Sequence, residues 1–244
     1  MAAIKITNLR KEYKDVTAVE GLDLEIEEGE LFSLLGVNGA GKTTTIKMLA
    51  TLTKPTSGEA EIMGRSVTKD PAGVKELIDI SMQETAVARK LTVEENIEFY
   101  SELCGQTKTE IAETKKYIYE AFGLGKVAKK QASKLSGGWQ RKLSIALALV
   151  TKPKVLFLDE PTLGLDVIAR RELWNTVRTL KKSMTIILTT HYMEEAEALS
   201  DRIGVMKDGR LLFVGTKEEM LGKTGTQNVE NAFISIVEGG GQDE

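Results

Sequence analysis

Residues 31–35 form a short apolar run that feeds directly into Gly36-Val37-Asn38-Gly39-Ala40-Gly41-Lys42-Thr43-Thr44. A buried strand, a glycine-rich loop and then a helix-forming stretch leave few folds open. Residues 36–43 match G-x-x-x-x-G-K-[ST] without a mismatch, a loop whose backbone N–H groups wrap phosphate oxygens. Such a loop works where a strand delivers it to a sheet edge and a helix N-terminus follows. The reading is a sheet with a phosphate site at its edge and a helix over 45–52. Gly36, Val37, Asn38, Gly39, Ala40 and Gly41 supply backbone to a nucleotide's phosphates. Lys42 reaches the β- and γ-phosphates, the Thr43 hydroxyl ligates Mg²⁺, and Thr44 adds a hydroxyl near the α-phosphate.

The chain around this loop changes character twice. Leu22, Leu24 and Ile26 alternate with Asp23, Glu25 and Glu27, the period of a sheet with one wet face. Glu28-Gly29-Glu30 reads as a turn. From about 84 to 151 the pattern is helical, with capping boxes at Thr92/Glu95 and Thr107/Glu110 and a helix from the N-cap Ser136 to Val150. Strand-type runs return at 154–159, 184–190 and 202–206, and Asp208-Gly209 is a hairpin turn before 211–214. Strand–helix alternation on both sides of a helical block predicts an α/β core with a helical insertion. The Gly239-Gly240-Gly241 end is expected to fray.

A second anion cradle lies about a hundred residues after the first. Leu135-Ser136-Gly137-Gly138-Trp139-Gln140-Arg141 places a serine at a helix N-terminus, followed by two residues without side chains. One nucleotide needs only one such cradle. Just downstream, a four-residue apolar strand over 155–158 ends in Asp159 and Glu160. At the sheet's carboxyl edge Asp159 would hold Mg²⁺ through water, and Glu160 would orient and deprotonate an attacking water. Adjacent acids are often a solvated strand end, but Pro161 stops the strand directly after these two. His191, the only histidine, follows the strand-like run 185–190 and would end on the same edge, within reach of a γ-phosphate.

Composition excludes several alternatives. Charged residues make up 28% with a net charge of −3, so no basic nucleic-acid surface is implied. One cysteine and one histidine exclude a zinc cluster and an intrachain disulfide. The start lacks a signal peptide's apolar core, and the longest near-continuous apolar stretch, 143–150, is too short to span a bilayer. These features predict a soluble, cytoplasmic chain.

Taken in order, the motifs resemble the nucleotide-binding subunit of an ATP-binding-cassette transporter over nearly the whole chain. Tyr13 resembles the aromatic that stacks on adenine, 36–44 the Walker A loop, and Gln83 the glutamine that senses Mg²⁺ and the transport subunit. Residues 135–138 resemble the family signature, Asp159 and Glu160 the end of Walker B, Leu163-Gly164-Leu165-Asp166 the D-loop, and His191 the switch histidine. The resemblance implies a P-loop NTPase (RecA-like) α/β core with an N-terminal antiparallel β subdomain and an inserted all-helical signature subdomain. The core would comprise 1–83 and 152–222, the helical subdomain 84–151, and a C-terminal helix and tail 223–244.

It further implies ATP and Mg²⁺ as cofactors, with Thr43, Gln83 and Asp159 at the metal and Glu160, His191, Lys42 and Gln83 catalytic. Ser136, Gly137, Gly138 and Asp166 would join the nucleotide ligands. Two cassettes would pair head to tail, as a homodimer or with a different second cassette, the signature of one closing on ATP held by the other. A separate membrane-spanning subunit would dock near 83–87 and 91–103, although apolar residues there serve equally as core. Phrases at 49–58 and 191–197 look most like the daunorubicin-resistance and sodium-export group, which implies an exporter subunit, peripheral on the inner face of the membrane. An importer ATPase and a soluble non-transport cassette stand as alternatives. Four positions depart from the family pattern. Val37 replaces a common proline, Leu163-Gly164 replace Ser-Ala, and Trp139 replaces glutamine and is expected to face the helical block.

Overall fold

The computed structural model describes residues 2–239. The expected fraying at Gly240 and Gly241 lies outside them. Two long strands, β1 (Ala2–Tyr13) and β2 (Val16–Glu27), pair antiparallel. In β2 the alternation holds: Leu22, Leu24 and Ile26 are buried, and Asp23, Glu25 and Glu27 are exposed. Gly29, at φ 76°, turns the chain into β3 (Leu31–Leu35), which is buried throughout and leads through the glycine loop into α1 (Lys42–Leu49). Next come β4 (Ser57–Ile62), β5 (Arg65–Ser66), α2 (Pro71–Lys75) and β6 (Ile78–Ser81).

A helical block interrupts the sheet: α3 (Val93–Leu103), α4 (Lys108–Phe122), 3₁₀ turns over Leu124–Val127 and Ala132–Lys134, and α5 (Gly137–Leu147). Strand–helix alternation then resumes with β7 (Val155–Asp159), α6 (Val167–Leu180), β8 (Thr185–Thr190), α7 (Met193–Leu199), β9 (Arg202–Lys207) and β10 (Arg210–Gly215). Two helices follow, α8 (Lys217–Thr224) and α9 (Val229–Gly239). The first crosses the boundary expected at 222/223, and Gly239 is helical.

The strands form two sheets, β2-β1-β4-β5 and β10-β9-β3-β8-β7-β6. In the second, β9, β3, β8, β7 and β6 run parallel, and β10 returns antiparallel from β9. Because side chains alternate across a strand, the central strands each feed two cores. Leu156, Leu158, Ile186 and Leu188 pack with α5, α6 and the helical block. Val155, Phe157 and Ile187, from the same strands, pack with α1 and the antiparallel sheet. A third cluster joins Ile203, Val205 and Phe213 to α8 and α9. Burial on both faces explains why these strands read as continuous apolar runs. The architecture is a P-loop NTPase core with the antiparallel β subdomain and helical insertion expected from sequence.

Boundaries moved where local chemistry overrides periodicity. The helix expected over 45–52 begins three residues earlier, because Gly41 at φ 103° brings the chain into helix at Lys42. It ends by Ala50, with Thr51 at φ 58°. The helical character expected from about 84 starts at Val93, set by the Thr92/Glu95 capping box. Ahead of it, the buried Asn96 fastens the irregular chain by donating to the carbonyls of Ala88, Leu91 and Thr92 and accepting from Ala88 N. The second box forms at Thr107/Glu110, and a third, which sequence reading missed, at Thr216/Glu219. Asp208 and Gly209, both at positive φ, make the hairpin turn between β9 and β10. Helix α5 stops at Leu147 rather than Val150.

Candidate active site

Parallel strands that end on one edge bring distant residues together. Leu35, Asp159 and Thr190 close β3, β7 and β8, and these three strands are neighbours in the sheet. The glycine loop leaves Leu35 and folds back under α1. A Cβ at Gly36 would lie 2.3 Å from Met206 O, and one at Gly41 would lie 2.3 Å from Ala18 O, so the tight path requires glycine at both. No side chain caps α1 at Gly41 and no acid sits in its first turn, which leaves its amides free for an anion.

Six charged or polar side chains meet at this edge. Lys42 is 5% exposed, and its Nζ donates to Gly36 O at 2.7 Å and Val37 O at 3.1 Å. The same nitrogen is 3.4 Å from Glu160 Oε1. Thr43 Oγ1 donates to Asp159 Oδ1 and Oδ2 at 3.0 and 3.2 Å, and Thr189 Oγ1 donates to Oδ1 at 2.6 Å. His191 Nδ1 lies 2.5 Å from Glu160 Oε2, the spacing of an imidazole N–H donating to a carboxylate. Glu160 stands at φ 48°, a backbone region unusual for this residue type, and its N–H is held by Thr189 O and Oγ1, both at 3.1 Å. Strain of this kind marks a position that the surrounding structure over-determines.

Lys42, Thr43, Glu160 and His191 border a cavity of about 620 Å³. Its walls hold Asn38, Gly39, Ala40, Gly41, Lys42, Thr43, Thr44, Gln83, Glu160 and His191. Gly36 and Val37 join through their carbonyls on Lys42, and Asp159 through Thr43. Val16, Thr17, Ala18, Leu163 and Asp208 complete the lining and were not foreseen. Thr43 and Asp159 present an all-oxygen set within hydrogen-bond distance, the donor chemistry a hard divalent cation takes.

Other expected ligands lie elsewhere in the chain. Tyr13 ends β1 at the hairpin tip, outside the lining but paired with Val16, which is part of it, and Lys11 Nζ lies 4.8 Å from its ring centroid. Asp166, expected among the nucleotide ligands, caps α6 instead: its Oδ1 accepts from Ile168 N and Ala169 N, both at 2.9 Å. Ser136 occupies the N-cap of α5, but its side chain makes no capping bond, and Ser136 and Gly137 are exposed. Trp139 packs on the cluster shared by the helical block and the sheet, beneath Lys142 Nζ at 4.8 Å, away from the cavity.

Sequence reading missed two buried charged residues behind the site. Arg141, 4% exposed, spreads its guanidinium over main-chain carbonyls beside Asp159 and Gln83. Burial pulls its pKa down to about 10, opposed by the nearby Asp159 and Glu195 carboxyls. Glu195 is fully buried and accepts from Trp174 Nε1 at 3.0 Å. Burial pushes its carboxyl above the usual range, against the hydroxyls of Thr190 and Thr162 and the Trp174 N–H, and the charge of Glu160 adds to the rise. In sequence Glu195 is one of a pair of acids at a helix start, indistinguishable from the exposed Glu194.

Comparison with known proteins bears on this geometry. The family described as ABC transporter matches residues 19–163. The chain is 40% identical over 225 residues to the daunorubicin/doxorubicin resistance ATP-binding protein DrrA of Streptomyces peucetius, covering 92% of this chain and 68% of that protein. It is 42% identical over 220 residues to the phospholipid-transporting ATPase ABCA3 of Homo sapiens, covering 88% of this chain but 13% of that one. Among solved structures, a dimeric ATP-binding cassette in a post-hydrolysis state with ADP and phosphate superposes with a TM-score of 0.78 at 26% identity. That match covers 87% of this chain and 98% of the other.

Proposed function

Since the chain belongs to the ABC transporter family and is an ATP-hydrolysing subunit of it, we propose that it powers export through a separate membrane-spanning subunit. In this reading it closes head to tail on a second cassette, normally another copy of itself, when ATP is bound. The observation that carries the reading is the unfinished second cradle. Ser136 stands exposed at the start of α5 with its side chain unengaged, outside a cavity that is otherwise furnished for a nucleotide.

Within one subunit the loop amides and Lys42 hold the phosphates, and Tyr13 stacks on the adenine. Thr43, Gln83 and Asp159 hold Mg²⁺, which would neutralise charge developing on the phosphates. Glu160 orients and deprotonates the attacking water, and His191, donating to the same carboxylate, keeps it aimed at the γ-phosphate. Ser136, Gly137, Gly138 and Asp166 come from the opposite subunit. Support for this interface is the exposed apolar set Leu163, Val167 and Ile168, the last 74% exposed, at the start of α6. The start of α6 abuts the signature: a Cβ on Gly138 would lie 2.9 Å from Ala169 Cβ.

The membrane subunit would bind beside Gln83, where Phe99 and Leu103 of α3 are exposed next to a small cavity between Met82, Ala86, Tyr100 and Cys104. No helix of the described residues is long and apolar enough to cross a membrane. The chain would then sit on the inner face of the membrane. Export as the direction follows from the likeness to the resistance protein of Streptomyces peucetius.

Gel filtration of the Glu160→Gln variant tests the dimer. It should elute as a dimer with ATP and as a monomer without it. Ser136→Arg in the same background should remain monomeric while still binding ATP. An elution volume indifferent to nucleotide would overturn the head-to-tail reading.

A further inference from the structure

Behind the nucleotide cavity, the backbones of two site-forming segments converge on one side chain of a third. Arg141 lies five residues after Ser136, inside α5. Its Nε donates to Pro161 O at 2.8 Å and its Nη2 to Asp159 O at 2.9 Å, the carbonyls on either side of Glu160. Its Nη1 reaches Met82 O and, at 3.2 Å, Gln83 O. The helix that begins with the exposed signature is thus bonded to the main chain that aims Glu160 and to the main chain that carries Gln83.

A core that needed only filling would not use a cation here. Burying a charge is costly, and apolar residues of similar volume often serve stability as well. A lysine would offer one compact ammonium in place of a planar fork of N–H donors, so it could not serve acceptors on both segments with the same geometry. An apolar residue would leave the carbonyls without donors in a dry site. The guanidinium remains protonated at neutral pH because burial lowers its pKa only to about 10.

We propose that Arg141 is a positioning residue that ties engagement of ATP at Ser136 to the placement of Gln83 and Glu160 in the same subunit. The proposal rests on the reading of residues 136–138 as ligands of a second cassette's ATP. Arg141 itself touches no nucleotide, so its effect is on turnover rather than on nucleotide affinity.

The test compares Arg141→Lys, which keeps charge without the fork, with Arg141→Gln, which keeps two donors without charge. Each is measured for kcat, KM for ATP and thermal unfolding, and each is combined with Glu160→Gln for gel filtration with ATP. The expected result is a folded chain with an intact ATP-dependent dimer, KM within about threefold and kcat lower by about tenfold or more. A kcat within about twofold of the parent in Arg141→Lys would overturn the proposal. Loss of activity that merely tracks loss of folded protein in both variants would overturn it too, by reducing Arg141 to a strut. Glu160→Gln alone is the separating control. If it fails to dimerise, the head-to-tail reading fails; if it dimerises while both Arg141 variants turn over normally, only the present proposal fails.

Discussion

The chain carries two helix N-termini rich in glycine, and they finish in opposite ways. At α1, Lys42 is folded in over the loop carbonyls, and Glu160, Asp159 and His191 close around it. At α5, Ser136 and Gly137 face solvent, and a Cβ on Gly137 would meet nothing within 4 Å. Backbone N–H groups at a helix start attract an anion in both places. Only the first has the cation, hydroxyl and carboxylates that chemistry on a phosphate requires. The same local device is therefore enclosed and furnished with side chains where the sheet edge surrounds it, and open where it stands alone.

The sharpest way to break this division is to remove chemistry from the first cradle while leaving both anion sites in place. Glu160→Gln keeps the shape of the side chain and removes the carboxylate proposed as the base. Turnover should fall by about 10²–10⁴-fold while ATP still binds. A colorimetric phosphate-release assay beside equilibrium nucleotide binding separates the two effects. Near-normal phosphate release would move the base to another residue and dissolve the contrast.

A smaller effect distinguishes the cradles by their glycines. Gly41→Ala combines a φ of 103° with an overlap on Ala18 O, so it should lower stability by at least about 1–3 kcal/mol in urea unfolding. Gly137→Ala sits at the first helical position in open space and should be neutral or stabilising by up to about 1 kcal/mol. The added methyl should nonetheless weaken the ATP-dependent dimer, because an anion from a second subunit must approach that backbone. Equal destabilisation by the two alanines would show that the second cradle is as enclosed as the first.

How legible the two cradles were in sequence follows the same contrast. Asp159 and Glu160 could be placed because an apolar run forces them to the sheet edge, and Lys42 and Thr43 because a glycine loop carries the chain from another such run into a helix. The helical block was recognisable from two capping boxes, which are local chemistry. Arg141 and Glu195 were hidden, because a charge inside a fold looks identical in sequence to a charge on its surface. Arg141 adjoins the exposed signature residues, and Glu195 follows the exposed Glu194; only tertiary packing tells them apart. Asp166 reads two ways for a related reason. A D-loop aspartate and a helix N-cap are the same residue in the same position, and within one subunit the cap is what forms.

Glu195 gives the smallest and most specific test, since it is fully buried and bonded from α7 to Trp174 of α6. Trp174 donates to its Oε1, while its Oε2 has no hydrogen-bond partner among the described residues. Glu160 and Arg141 are the charged groups that act on it. A carboxyl whose folded pKa is raised takes up a proton on folding. Its contribution to stability is therefore fully present below the unfolded pKa and lost as pH rises through the folded one. Glu195→Gln stays neutral at every pH and can keep the Trp174 bond. The stability of Glu195→Gln relative to the parent should thus improve steadily as pH rises above the ordinary carboxylate range, then level off once Glu195 has ionised. Urea midpoints for both proteins, measured from acid to mildly alkaline pH, read this gap directly. A gap that stays constant with pH would mean that Glu195 ionises as easily folded as unfolded. The contact between α7 and α6 would then be an ordinary charged one rather than a protonated one.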